Sequence, residues 1–105
     1  MNINMTSPNF PARDRWNDRL VMEVQYTGPA SYVTGGDPYT PGSDLPAGEV
    51  FGVYGTISDG TSVRTAWWNY ATQKLMFFVP NTNVQVANGV DLSTFAGTLL
   101  FTCKG

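Results

Sequence analysis

The segment RLVMEVQY, residues 19–26, places an apolar side chain at every second position. One face of an extended chain would then carry Leu20, Met22, Val24 and Tyr26. A period of two residues is typical of a β-strand that is buried on one face, because successive side chains point to opposite sides. The sequence therefore predicts a half-buried strand, which the following Gly-Pro pair ends.

The rest of the chain repeats this pattern in short segments that are separated by turn residues. Strand character is found in residues 49–57, 63–70, 74–79, 84–87 and 94–102. Ser58-Asp59-Gly60 lies between two of these segments, and Asp-Gly is a strong signal for a tight hairpin. Without any amphipathic helix, the pattern predicts an all-β fold: an antiparallel β-sandwich that is jelly-roll-like or a flattened barrel.

The length of 105 residues indicates a single domain. We expect residues 17–105 to form this β-sandwich domain. Residues 1–16 show no periodicity, and their two prolines, Pro8 and Pro11, favour an extended backbone. We therefore expect an extended N-terminal arm, either disordered or lying on a surface of this protein or of a partner.

Residues 31–45, SYVTGGDPYTPGSDL, predict a long irregular connection after the first strand. The glycine pair at 35–36 permits positive φ, and the two prolines stiffen the backbone. We expect a rigid link from one sheet to the other, with Tyr32 or Tyr39 packed beneath it or against a neighbouring subunit.

The charge and hydropathy of the chain exclude several partners. Charged residues make up 13% of the sequence and the net charge is −2. Nucleic-acid binding normally requires a basic face, so we expect no nucleic-acid partner. No apolar run approaches the ~18 residues of a transmembrane helix, and the N-terminus lacks the features of a signal peptide. We expect a complete polypeptide that is made in the cytosol and has no membrane association.

The residues that common enzyme chemistry requires are missing. There is no histidine, which excludes a Ser-His-Asp triad, a Cys-His pair and histidine-ligated metals. The one cysteine, Cys103, alternates with Leu99 and Phe101 and is expected to pack as a small hydrophobic residue. We predict that the protein is not an enzyme, has no catalytic residues and needs no cofactor.

Carboxylates are the remaining candidates for acid–base chemistry or metal binding: Asp37, Asp44, Glu49 and Asp59. Asp37 and Asp59 adjoin Gly or Pro, where Asp commonly caps the backbone amides of turns. Asp37 and Asp44 share one loop, but calcium needs about six to eight oxygen ligands. A small hydrolase that uses Asp37 or Glu49 and a calcium site are therefore the weaker alternatives, and we predict no metal.

Trp67, Trp68 and Tyr70 form an aromatic cluster on one predicted strand. Because neighbouring strand residues point to opposite faces, one of the two tryptophans must point outward. We expect Trp68 to lie in the core with Phe77 across the hairpin, and Trp67 to cover a protein interface. The alternative is a sugar-stacking platform, which would need polar partners at the same place.

The N-terminal segment also contains residue types that are favoured as interface anchors. Arg13, Arg15 and Trp16 are of these types, since Arg and Trp are enriched among energetically important contacts. The segment is either simply solvated or anchors the arm to a partner. The candidate partner-binding residues are Phe10, Arg13, Arg15, Trp16, Tyr39 and Trp67.

Four segments follow one another in a distinctive order. The first, DRWNDRLVMEVQY (residues 14–26), is a strand entered through a W-[ND]-x-[RK] pattern. The second, SYVTGGDPYTPGSDLPAGEVFGVYG (residues 31–55), begins with a Y-x-T-G-G-[DE] turn. The third, YATQKLMFFVPN (residues 70–81), is a hairpin turn with a Lys-Leu pair. The fourth, VANGVDLSTFAGTLLF (residues 86–101), carries an [AN]-[NG]-G-x-D-L-S turn before the closing strand.

In this order the segments resemble small bacteriophage virion proteins, the capsid decoration or cement proteins. The resemblance implies a β-sandwich that binds the outer surface of the major capsid protein lattice as a homotrimer and stabilises the icosahedral head. It implies location in the virion, and it transfers no catalytic residue. The alternative function is a carbohydrate-binding β-sandwich module of a fibre or host-attachment domain, using Trp67, Tyr70 and residues 30–47.

Overall fold

The computed structural model describes residues 1–3, 12–16, 19–45 and 47–104; for residues 12–16 and 19 the description covers the backbone. Over these residues the protein is all-β and contains no helix, which confirms the predicted class. Nine strands within this part of the chain join in one antiparallel sheet. They are β1 (Asn2–Ile3), β2 (Ala12–Trp16), β3 (Arg19–Thr27), β4 (Asp37–Pro38), β5 (Val50–Tyr54), β6 (Thr56–Ser58), β7 (Val63–Asn69), β8 (Lys74–Phe78) and β9 (Ala96–Lys104).

The sheet is built on the pairing of its two longest strands, β3 and β9. Their register runs without interruption from Arg19 opposite Lys104 to Thr27 opposite Ala96. β1 and β2 lie along the outer side of β3. Beyond β9 the order continues through β6, β7 and β8 to β4, and β5 also pairs with β9. The position of every other strand therefore follows from this central pair.

The inward face of the central pair is the apolar face that the sequence predicts. Its cross-strand pairs are Leu20 with Cys103, Met22 with Phe101 and Val24 with Leu99. All six side chains are buried, and burying one large apolar side chain stabilises a fold by about 1.5–3 kcal/mol. The period-two prediction is confirmed for both strands, although the closing strand begins and ends two residues later than expected.

Residues 49–57, predicted as one strand, form two short strands separated by Gly55. Gly55 has a φ of 134°, a backbone conformation that residues with a Cβ rarely adopt. Before this glycine β5 pairs with β9, whereas after it β6 pairs with β7 and meets β9 only at Ser58. The break lets the chain leave the β9 edge and pair with β7, which curls the sheet.

The curl brings β3 close to β8 and β4, which lie on the other side of the strand order. The ring of Tyr26 on β3 lies 5.6 Å from the ring of Phe77 on β8, measured between centroids. The Tyr26 hydroxyl donates a hydrogen bond of 2.5 Å to Asp37 Oδ2 on β4. The connection that carries β4 therefore runs from β3 to the far edge of the same sheet. The sequence predicts that this connection links two sheets, whereas in the structure it joins two strands of one curled sheet. The two-layer sandwich is therefore not confirmed.

This connection has the local features that the sequence predicts. Both glycines of the 35–36 pair have positive φ. Tyr32 and Tyr39 are both buried beneath the connection. The Tyr32 hydroxyl accepts the backbone N–H of Phe77, and the Tyr39 hydroxyl donates to the carbonyl oxygen of Ala47. The two tyrosines attach the connection to the core of this subunit.

Two parts of the first 16 residues belong to the sheet. Asn2–Ile3 and Ala12–Trp16 both pair with β3, one after the other along its outer edge. Residues 4–11 and 17–18 lie outside the described part of the chain. An extended arm separate from the domain is not confirmed, because both described pieces are strands of the sheet.

One finer expectation is wrong, and another is confirmed with its register added. Residues 84–87 do not form a strand; within them Gln85 makes a single bridge to β8. Trp68 and Phe77 are both buried in the core on the two strands of the hairpin, as predicted. The residue directly opposite Trp68 is Leu75, and Phe77 is two residues further along β8. The turn between β7 and β8 sets this register, and a turn's register is not visible in the alternation of the strands that it joins.

We expect Gly97→Ala to destabilise the protein by about 1–3 kcal/mol, the usual cost of overpacking a core. A Cβ at this position of β9 would collide with the backbone carbonyl oxygen of Thr56 on β6. That oxygen cannot rotate away as the end of a side chain could. Urea unfolding measures the change in the free energy of unfolding.

The matched control is Gly48→Ala. Its new Cβ would meet Lys104 at ordinary contact distances of 3.6 and 3.7 Å, so the free energy of unfolding should change little. A Gly97→Ala variant that is as stable as Gly48→Ala would contradict the close approach of β6 to β9.

Candidate functional site

Trp67 stands on the outer face of the β7–β8 hairpin. Exposure alternates along β7, so Ala66 and Trp68 are buried whereas Trp67 keeps 63% of its surface exposed. Across the hairpin Trp67 lies opposite Met76, which is half-buried. The prediction that one of the two tryptophans points outward is confirmed, and the outward residue is Trp67.

A groove of about 380 Å³, here called the Trp67 groove, lies between the hairpin and the turn that follows β8. It is lined by Thr65, Trp67 and Phe78 of the hairpin and by residues 79–83 of the turn. The Val79 N–H donates to the carbonyl oxygen of Val84 at 3.0 Å. The Thr82 hydroxyl donates to the Val79 carbonyl oxygen at 2.7 Å and accepts the Val84 N–H at 3.2 Å. These bonds fix the turn that forms one side of the groove.

A second groove, of about 390 Å³, also has Trp67 in its wall. It is lined by residues 51–55 and 65–68. Tyr54 is 59% exposed there, and its ring covers Gly52, where a Cβ would lie only 2.7 Å from the Tyr54 hydroxyl oxygen. Trp67 is thus shared by two neighbouring grooves on one aromatic surface.

Tyr70 and residues 30–47, which the carbohydrate alternative combined with Trp67, do not line the Trp67 groove. Tyr70 stacks on Phe51 with ring centroids 6.3 Å apart. Its hydroxyl donates to Glu49 Oε2 at 3.0 Å. The structure therefore does not bring this predicted group of residues together at Trp67.

The polar neighbours of Trp67 come from the turn after β8 instead. Asn81 and Asn83 line the groove, and neither side-chain amide has a hydrogen-bond partner among the described residues. Asn81 has a φ of 61°, a left-handed conformation that Asn tolerates better than most residues. In the sequence, the only indication of this site is a run of polar residues after an aromatic strand. The fold places this run in the same groove as the indole of Trp67.

Asp59 caps the β6–β7 turn, as the sequence predicts. Its Oδ1 accepts the backbone N–H groups of Ser62 at 2.7 Å and of Thr61 at 2.9 Å. These hydrogen bonds favour the ionised form and lower the pKa of Asp59. The carboxylate therefore stabilises the β6–β7 turn.

Asp37 and Asp44 also bind groups of the fold. Asp37 accepts the Tyr26 hydroxyl, and Asp44 accepts the Met1 amino group at 3.0 Å and the Thr40 N–H at 2.6 Å. Burial, together with the negative charge of Asp37, raises the pKa of Tyr26 far above its usual value, so Tyr26 remains a hydrogen-bond donor. Within the described residues, no group of three or more His, Cys, Asp or Glu side chains could hold a metal ion.

The candidate partner-binding residues lie in separate places. Phe10 is outside the described residues, whereas Arg13, Arg15 and Trp16 lie on β2 at the edge of the sheet. Trp67 lies on β7, and β3, β9 and β6 stand between the two strands in the sheet order. At the usual spacing of neighbouring strands, β2 and β7 are about 19 Å apart along the sheet.

Tyr39, another candidate for partner binding, belongs to the core. It is 7% exposed, and its ring packs edge-on against Trp68 with centroids 6.2 Å apart. Burial raises the pKa of Tyr39 to about 12. Its ring and hydroxyl are thus both engaged within the subunit.

Cys103 is buried on β9, between Leu20 of β3 and Val50 of β5. Burial raises the pKa of its thiol to about 11. Because the thiolate is the nucleophilic form, this thiol is a poor nucleophile at neutral pH. Its side chain packs as a small hydrophobic group, as the sequence predicts.

We expect the free energy of unfolding to fall as the pH rises from about 9 to about 11. The thiol of Cys103 titrates at 9.0 when exposed and at about 11 in the fold. In that interval the unfolded chain has lost the proton and the folded chain has kept it, so rising pH favours unfolding. The loss from this group is on the order of 2 kcal/mol.

Urea unfolding near neutral pH and near the upper end of this interval measures the effect in the wild type and in Cys103→Ala. Tyr26 and Tyr39 also have raised pKa values and contribute to the loss in both proteins. The variant should therefore lose less stability than the wild type over the same interval. Equal losses would contradict a buried, protonated thiol.

Comparisons of the chain with family models, with curated proteins and with solved structures found no match. Among the described residues there is no helix long and apolar enough to cross a membrane. The resemblance to phage decoration proteins therefore depends on the four sequence segments alone, and the function that it implies is a proposal.

Proposed function

We propose that this protein is a non-enzymatic decoration protein of a bacteriophage capsid. It binds the outer surface of the major capsid protein lattice as a homotrimer and stabilises the icosahedral head. The order of the four sequence segments supports this assignment. The acidic side chains at 37, 44 and 59 serve the fold and the one thiol is buried, which favours a binding role over a catalytic one.

The observation that carries this proposal is the position of β2 on the edge of the sheet. β2 pairs with β3 on one side, and no described strand pairs with its other side. An edge strand offers a row of backbone N–H and C=O groups to a partner. The β2 sequence adds Arg13, Arg15 and Trp16, and Phe10 shortly before it is a further candidate contact.

Binding of this kind stabilises a capsid by mass action. A protein that binds the closed lattice and not its dissociated subunits shifts the equilibrium toward the closed lattice. Each contact can be weak, because the repeated sites of a homotrimer on a regular shell add avidity. The low charge of the chain, 13% of its residues, suits a protein whose surface is partly covered by such contacts.

We expect two variants of β2, Arg13→Ala combined with Arg15→Ala and, separately, Trp16→Ala, to weaken binding to shells by about tenfold or more, because Arg and Trp anchors dominate interface energies. Co-sedimentation with purified phage shells that lack this protein measures the affinity. Deleting residues 1–16 is a poorer test, because it would also remove β1 and β2 and uncover the edge of β3.

The matched control is Lys74→Ala combined with Lys104→Ala, which removes the same charge from β8 and β9. This control should bind shells as the wild type does, and thermal melts confirm that each variant is folded. Unchanged affinity of the β2 variants would contradict binding through this edge. A monomer in sedimentation equilibrium would contradict the homotrimer.

A further inference from the structure

We propose that the Trp67 groove binds a neutral glycan, with one hexopyranose ring stacked on the exposed indole and its hydroxyl groups bonded to the amides of Asn81 and Asn83. This site goes beyond the capsid-binding function proposed above and is independent of it. The glycan site uses β7 and the turn after β8, whereas the capsid contact is proposed for β2, a different strand at the edge of the sheet.

The apolar part of the site is the indole of Trp67. At 63% exposure it is far more accessible than tryptophan usually is. One face of a pyranose ring presents several C–H groups that carry partial positive charge. An aromatic face carries the complementary negative charge, so the two surfaces stack. Phe78 and Pro80 extend the apolar wall of the same groove.

The polar part of the site is the pair of free amides. Asn81 and Asn83 line the groove without a hydrogen-bond partner among the described residues. Each amide offers one carbonyl acceptor and two N–H donors. Neighbouring sugar hydroxyls both donate and accept, so an amide can bind two of them together. An apolar wall with a few convergent polar groups is the usual composition of a small-ligand site.

The lining of the groove selects a neutral ligand. All eight of the residues that line it are uncharged. A sulfate, phosphate or carboxylate group would lose hydration there without gaining a counter-ion, which is costly. A neutral sugar loses less hydration and recovers hydrogen bonds from the two amides. The groove therefore favours neutral hexopyranose units over sulfated or sialylated ones.

The turn that carries the amides is closed by hydrogen bonds within the chain and needs no ligand to form them. The Val79–Val84 backbone bond and the two bonds of the Thr82 hydroxyl close it. A preformed site loses little conformational entropy on binding. The groove volume of about 380 Å³ lies within the range of roughly 300–1,000 Å³ for small-ligand sites.

An NMR titration of the isolated ¹⁵N-labelled protein tests this proposal. The probes are cellotetraose, chitotetraose and mannotetraose, with a heparin tetrasaccharide as the charged comparison. We expect at least one neutral tetrasaccharide to bind with a Kd of about 5 mM or lower. The signals of the Trp67 indole and of the Asn81 and Asn83 side-chain amides should shift, and heparin should bind more weakly.

Variants then locate the site. Trp67→Ala should weaken binding by about tenfold or more, the effect expected of a central aromatic anchor. Asn83→Ala and Asn81→Gly should each weaken binding by about three- to tenfold, and glycine tolerates the positive φ at position 81. The control variants are Tyr54→Ala in the second groove and Tyr70→Ala outside both grooves, and each should bind as the wild type does.

Three results would overturn the proposal. The first is the absence of shifts with all three neutral tetrasaccharides at about 10 mM, a concentration at which even weak sugar binding is visible. The second is a loss of binding in Tyr54→Ala that the Trp67 and Asn variants do not show. The third is glycan binding that stays unchanged in Trp67→Ala and in both Asn variants, which would place the glycan elsewhere on the protein. Because the titration uses no shells, its failure leaves the β2 proposal intact.

Discussion

The uninterrupted pairing of β3 with β9 is the constraint on which the rest of the structure depends. β1 and β2 attach to one side of this pair, and β5 and β6 attach to the other. A register slip of one residue would turn the buried face of a strand outward, so the apolar alternation of both strands fixes their pairing. The two candidate binding surfaces, on β2 and on β7, are both positioned by it.

A polar contact completes the curl that this pairing begins. The Tyr26 hydroxyl binds Asp37, and the Tyr26 ring packs on Phe77, so β3 meets β8 and β4 at one residue. Gly97 lies opposite Tyr26 and leaves room for the backbone of β6. The absence of a side chain at position 97 is therefore as important to the curl as the large ring opposite it.

The distribution of chemistry over the chain fits a protein that works through its surface. Three of the four candidate carboxylates accept hydrogen bonds from the backbone or from the interior, and Glu49 accepts one from Tyr70. The groups that line the Trp67 groove are different in kind: they include an exposed indole and two uncharged side-chain amides. The two proposals, docking on a repeated lattice and binding of a neutral glycan, both depend on surface contacts of this kind.

The sequence alone determined the all-β class, the inward faces of β3 and β9, the capped turn at Asp59, the positive φ of the glycine pair at 35–36 and the outward position of one tryptophan. These features depend on side-chain alternation and on local backbone preferences, which neighbouring residues set. Only the tertiary structure decided that the sheet is single and curled, that parts of the first 16 residues are strands, and that Asn81 and Asn83 lie beside Trp67. Those features depend on strand registers and on contacts between segments far apart in the chain. The local alternation of apolar and polar residues does not specify either of them.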